Sequence, residues 1–188
     1  QLLDVLDSYG VKATFFVTNR GYGEMMKEIV DRGHSIGIHT MSHVYERIYA
    51  SPEAYFADLL GMQDVIYQNT GVKTTLMRFP GGSSNTVSAH SYVGLMSLLT
   101  RAVQDAGFQY FDWNVDSNDA GGAKKAQTVF ANVTAGVSQN RVSVVLQHDI
   151  HDFSVDAVED IIVWGLNNGY SFERLTETSP GVHHGVQN

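Results

Sequence analysis

The chain has 188 residues, the size of one domain, and carries 12 basic against 20 acidic residues for a net charge of -8. No Lys/Arg run interrupts that acidity, which argues against a nucleic-acid partner, and no apolar stretch reaches the ~18 residues of a membrane span. Cysteine is absent, which excludes disulfides, thiolate metal ligands and Cys nucleophiles, while 43% hydrophobic residues and 18 glycines give a globular composition.

Helices and strands alternate along the chain. Gln1–Tyr9 reads as the end of a helix closed by Gly10, followed by a buried strand at Ala13–Val17. A helix at Glu24–Asp31 and a strand at Ser35–Ile38 come next. Ser51 caps a long helix with Pro52 at its first position, and Tyr55, Leu59, Met62 and Ile66 form its apolar face up to Gly71. Strands are predicted at Thr75–Met77, Tyr110–Trp113, Ser143–Leu146 and Ser171–Leu175. Helices are predicted at Ser91–Ala106, with Leu95, Leu98, Leu99, Ala102 and Val103 inward, at Lys125–Val137 and at Val155–Asn167. Six apolar strands between helices predict an α/β fold with parallel pairing. Residues 1–175 read as one domain and 176–188 as a loose polar tail.

Reactive side chains fall at the ends of these strands. His39 and His43 follow the second, Arg78 the third, Asp112, Asp116 and Asp119 the fourth, and His148 and Asp149 the fifth. In parallel α/β folds the carboxyl ends of strands form the rim where active sites are built. The spacing His39-Thr40-Met41-Ser42-His43 brings both imidazoles to one side of a helix or to one point of a tight turn, as two metal ligands or two hydrogen-bonded structural histidines. Arg78 is placed to hold a carboxylate or to form a surface ion pair. Asp116 and Asp119 are placed to orient a histidine or to stabilise an Asx-rich loop. His148 suits a general acid or a buried, satisfied imidazole. Trp113 is core or a sugar-stacking wall. His34, His90 and His151 have no partner pattern, and His183-His184 reads as a disordered pair in the tail.

Taken in order, Ala13-Thr14-Phe15-Phe16-Val17, the run from Gly33 through Ser35-Ile36-Gly37-Ile38 to His39-Thr40-Met41-Ser42-His43, Arg78-Phe79-Pro80-Gly81, Asp116-Ser117-Asn118-Asp119 and Leu146-Gln147-His148-Asp149 resemble the polysaccharide deacetylases (carbohydrate esterase family 4, the NodB-type domain). The resemblance runs from about Leu2 to Leu175. It implies a distorted (β/α) barrel and a divalent metal, usually zinc, held by two His and one Asp. His39 and His43 match the metal histidines, His148 the acid that protonates the leaving amine, and Arg78 the arginine that positions the base. Asp119 best matches the aspartate that pairs with the catalytic histidine, with Asp116 as competitor. Trp113, Pro80, Gly81 and Leu146 are the implied substrate contacts.

Two departures stand out. Ala120 occupies the place of a family Trp, and the family's Thr-Phe-Asp-Asp-Gly-Pro strand, source of the base and the third metal ligand, has no counterpart here. The chain therefore reads as a scaffold short of its first strand. The implied activity is removal of N-acetyl groups from an amino-sugar polymer, with peptidoglycan N-acetylglucosamine first and chitin oligomers or O-acetylated xylan as alternatives. The rival is an inactive carbohydrate-binding or structural domain on the same fold. An acetylated cell-wall glycan as partner implies an extracellular or cell-surface location. No signal peptide is visible, so an export signal is expected upstream of residue 1.

Overall fold

The computed structural model describes all 188 residues. In chain order its elements are α1 (Leu2–Ser8), β1 (Thr14–Val17), α2 (Gly23–Asp31), β2 (Ser35–Ile38), α3 (Tyr45–Ile48), α4 (Pro52–Thr70), β3 (Leu76–Met77), a 3-10 turn (Val87–His90), α5 (Leu95–Asp105), β4 (Gln109–Tyr110), β5 (Val115–Asp116), α6 (Ala126–Val137), β6 (Val145–Leu146), α7 (Asp152–Val155) and α8 (Val158–Asn167). The expected parallel α/β architecture is present. Four strands pair in the order β1-β2-β3-β4, and β5 pairs with β6, every ladder parallel. No helix is long and apolar enough to cross a membrane.

The chain divides into two compact units. One joins Gln1–Ala13 to Trp113–Glu173, and the other joins Thr14–Asp112 to Arg174–Asn188.

The unit holding the four-stranded sheet is organised by α4. Ser51 Oγ accepts the Ala54 N–H at 3.1 Å, Pro52 opens the helix, and Gly71 closes it in the left-handed region at φ 74°. Tyr55, Leu59, Met62 and Ile66 are fully buried, as their spacing predicts. Each such side chain contributes about 1.5–3 kcal/mol of burial. Close approach of the sheet requires Gly37, where a Cβ would lie 2.6 Å from the Phe16 ring and 3.1 Å from the Leu76 carbonyl oxygen. The strand at Thr14–Val17 is half-buried rather than buried, because it is the outermost of the four. Helix α5 starts at Leu95 rather than Ser91, since Gly94 at φ 81° ends the preceding turn, and Leu98 is exposed instead of inward.

The tail is not loose. Asp112 N–H donates to the Val182 carbonyl at 2.8 Å, and Asn188 accepts from Gly94 N–H (2.7 Å) and Ser97 N–H (2.8 Å). His183 stacks on Tyr110 with centroids 3.8 Å apart, which corrects the reading of His183-His184 as disordered. No strand forms at Ser171–Leu175. Leu175 is tied instead by side chains, its N–H to Thr14 Oγ1 (2.7 Å) and its carbonyl to Ser35 Oγ (2.6 Å).

The other unit packs α6 and α8 around Ala123, Val129, Val133, Ala157 and Ile161, with Val145 and Phe172 at the margin. The strand predicted over Tyr110–Trp113 is interrupted. Phe111 N–H still bonds to Met77, but Asn114 N–H bonds to Val144, so the backbone changes partners between them. Trp113 consequently lies outside any strand.

Candidate functional site

The segment after β2 forms a tight turn, not a helix, and the turn brings the two histidines together. Their ring centroids are 5.0 Å apart with planes tilted by 56°. Thr40 and His43 both have positive φ, 71° and 55°. A β-branched residue in that region is a genuine outlier, and each such residue costs on the order of 1–3 kcal/mol, so the surrounding structure must hold it. It does so with named bonds. His39 N–H donates to Val17 O (2.9 Å), Asn19 N–H to Met41 O (3.1 Å) and His43 N–H to Thr40 Oγ1 (3.1 Å). Met41 N–H donates to Asp58 Oδ1 at 2.6 Å. His39 Nδ1 lies 2.8 Å from the Arg78 carbonyl. A carbonyl only accepts, so Nδ1 carries the proton and the ring's lone pair is on Nε2.

This pair fits two imidazole ligands of a divalent metal, with one tautomer already fixed. No cluster of three His, Cys, Asp or Glu side chains forms, so the pair alone does not complete the three protein ligands of a catalytic zinc.

Arg78 is not at the surface. It is 8% exposed, its guanidinium carbon sits 4.5 Å above the centre of the Phe16 ring, and it donates to the carbonyls of Phe111 (Nε, 2.9 Å) and Asp112 (Nη2, 3.2 Å). Burial draws its pKa down to about 10, while the Asp112 charge works in the opposite direction. Asp112 is fully buried and accepts from Ser83 N–H and His184 N–H, both at 2.8 Å, and from the Ser83 hydroxyl. In the sequence, Asp112 stands at a strand end with nothing beside it to give it a role. Its partners Ser83 and His184 are distant in sequence, and no local signal announces them.

In the other unit, His148 and Asp119 form one arrangement. Asp119 is fully buried. Its carboxylate accepts three bonds, from the His148 ring Nδ1 (2.7 Å), the His148 backbone N–H (2.6 Å) and the Ser154 hydroxyl (2.6 Å). Burial raises the Asp119 pKa, but the bonds from His148 and Ser154 outweigh it and hold the carboxyl well below its usual range. An ionised carboxylate is acceptor-only, so His148 carries its proton on Nδ1 and presents Nε2 for proton transfer. The His148 side chain is 33% exposed. Asp116 does not take this role: it is exposed, and its Oδ1 accepts the Asn118 N–H at 2.7 Å within its own loop. A local Asx turn captures it, which corrects its candidacy as the partner of His148. Ser154 was missed because it lies on the short helix α7, for which the sequence carries no signal.

Among the implied substrate contacts, Pro80 is buried and its carbonyl accepts from the Tyr49 hydroxyl at 2.7 Å, so it supports the turn from behind. Gly81 is exposed at φ 75°, and Trp113 and Leu146 are half-buried.

The family model for polysaccharide deacetylase matches residues 1–96. Over 191 residues the chain is 32% identical to a peptidoglycan-N-acetylglucosamine deacetylase of Bacillus cereus, covering 95% of this chain and 65% of that protein. It spans 64–65% of the length of the curated Bacillus relatives it matches. The crystal structure of the catalytic domain of a peptidoglycan N-acetylglucosamine deacetylase from Eubacterium rectale is similar over 100% of this chain and 86% of its own, with 52% identity and a TM-score of 0.97. A polysaccharide deacetylase of Bacillus cereus is similar at 30% identity and a TM-score of 0.77, over 98% of this chain and 87% of its own.

Proposed function

The chain belongs to the polysaccharide deacetylase family, and from that premise we propose that it hydrolyses N-acetyl groups on an amino-sugar polymer, peptidoglycan N-acetylglucosamine first. The names of its relatives support that substrate. The observation that carries the reading is the hold on His148: one buried carboxylate grips both its backbone N–H and its ring Nδ1.

Each residue's task follows from its chemistry. Asp119 fixes the His148 tautomer and stabilises the imidazolium, so that Nε2 delivers a proton to the departing amine nitrogen. Ser154 orients Asp119. Arg78, cationic and dry, is suited to hold a carboxylate base in place. When bound, a divalent metal such as zinc, held by His39 and His43, supplies Lewis acidity toward the acetyl carbonyl and the attacking water. Gly81, Trp113 and Leu146 are assigned to substrate contact. A cell-wall glycan as substrate implies a protein outside the membrane, at the cell surface or secreted.

The test is acetate release from peptidoglycan and from N-acetylglucosamine oligomers. It is run on the 188-residue chain and on a version carrying an added N-terminal strand with an Asp-Asp pair. Release by the extended version, lost on His148→Ala, supports the reading. No release by either version overturns it in favour of a binding or structural domain.

A further inference from the structure

The histidine turn is held by a side chain that no motif contains. We propose that Asp58, on α4, is a positioning residue for His39 and His43, the two rings assigned to metal binding; the inference rests on that assignment.

Three observations meet at Met41, the middle residue of the turn. Its N–H donates to Asp58 Oδ1 at 2.6 Å, and the neighbouring Ser42 hydroxyl donates to Asp58 Oδ2 at 3.3 Å. Its carbonyl accepts the Asn19 N–H at 3.1 Å. Its side chain passes over Gly61, where a Cβ would stand 3.6 Å from Met41 Cγ and 3.8 Å from Sδ. Asp58 and Gly61 are three apart on α4, so one face of one helix offers a carboxylate for the peptide and a bare surface for the side chain. Met41 is thereby fixed from three directions, with one metal-assigned histidine two residues to either side of it.

The backbone explains why such a clamp is required. Thr40 and His43 both sit in the left-handed region, which non-glycine residues leave unless the surroundings hold them. Without Asp58, the Met41 N–H and the Ser42 hydroxyl lose an acceptor anchored on a 19-residue helix. The turn then relaxes toward ordinary φ values, and the two imidazoles separate. Partners of this kind behind metal-binding histidines are worth on the order of 10–100-fold in metal affinity. Asp58 acts here through the backbone of the turn, not through a ring nitrogen.

The experiment titrates zinc into the full 188-residue chain, with urea unfolding measured in parallel. The variants are His39→Ala, Asp58→Ala and Asp58→Asn. Zinc binding is expected in the wild type and lost in His39→Ala. Asp58→Ala is expected to weaken it 10–100-fold at full folding, and Asp58→Asn, whose Oδ1 still accepts the Met41 N–H, to recover it to within about threefold. If Asp58→Ala does not fold, Asp58→Ser, whose hydroxyl is one bond too short to reach Met41, is read the same way. A shifted urea midpoint with unchanged zinc affinity overturns the positioning role alone. Zinc binding that is absent from the wild type, or that survives His39→Ala, overturns the metal assignment and this proposal with it.

Discussion

The histidine turn and the His148 arrangement show two ways of preparing an imidazole. At His148 the preparation is electrostatic and complete within its own unit. One buried carboxylate takes two donors from the histidine and one from Ser154, and stays ionised because those bonds outweigh its desolvation. At His39 and His43 the preparation is conformational. Backbone strain at Thr40 and His43 is held by bonds to Val17, Asn19 and Asp58, while the rings themselves belong to no cluster of three His, Cys, Asp or Glu side chains. In the roles proposed for them, a proton carrier needs one strong partner and a metal ligand needs direction, which matches charge at the first site and backbone geometry at the second.

The largest effects separate these functions. His148→Ala in a chain supplied with the Asp-Asp strand should lower acetate release by about 10²–10⁴-fold, the usual range for a general acid, and leave zinc binding intact. His39→Ala should do the reverse to binding and remove the zinc. Steady-state kinetics beside a zinc titration decides this, and loss of zinc in His148→Ala would merge the two regions into one. Next comes Asp119→Ala, which strands the His148 N–H groups and the Ser154 hydroxyl. It should cost about 3 kcal/mol in urea unfolding, a typical penalty for breaking a buried pair. The sign of its pH dependence is set by the lowered folded pKa. The Asp119 contribution is present above the unfolded carboxyl value of roughly 4 and is lost as pH falls through the lower, folded one. The stability gap between wild type and Asp119→Ala should therefore narrow in acid. A gap constant from pH 7 to pH 2 would mean that the pair is not ionic. Deleting residues 181–188 should cost about 1–3 kcal/mol: Asp112 loses the Val182 acceptor and the His184 N–H, and Gly94 and Ser97 lose Asn188, but the Asp112 carboxylate keeps both bonds from Ser83 and the other groups become open to water.

What the sequence disclosed follows the same division. Helix α4 was readable from Ser51, Pro52 and Gly71 because capping chemistry is local. The His-x3-His spacing, the strand-end Arg78 and His148 were readable because each stands beside an apolar run. Asp58, Asp112 and Ser154 were not, since each works through partners 16 to 72 residues away. Likewise, the tail read as loose because its bonds run to Tyr110, Asp112, Ser88 and Gly94, which nothing in residues 176–188 predicts.

Asp116 gives the smallest effect and a sharp control. It is three residues from Asp119, has the same chemistry, and was the competing candidate for the same task. Asp119 is buried and holds a ring nitrogen, whereas Asp116 is exposed and closes a two-residue bond to Asn118 N–H. Asn118 sits at φ 59°, so this Asx turn supports a strained loop residue, but from the solvent side, where water replaces the lost acceptor. Asp116→Ala should therefore change the free energy of urea unfolding by no more than about 0.5 kcal/mol and leave acetate release unchanged. Equal losses of activity in Asp116→Ala and Asp119→Ala would show that the whole loop, and not the buried carboxylate, orients His148.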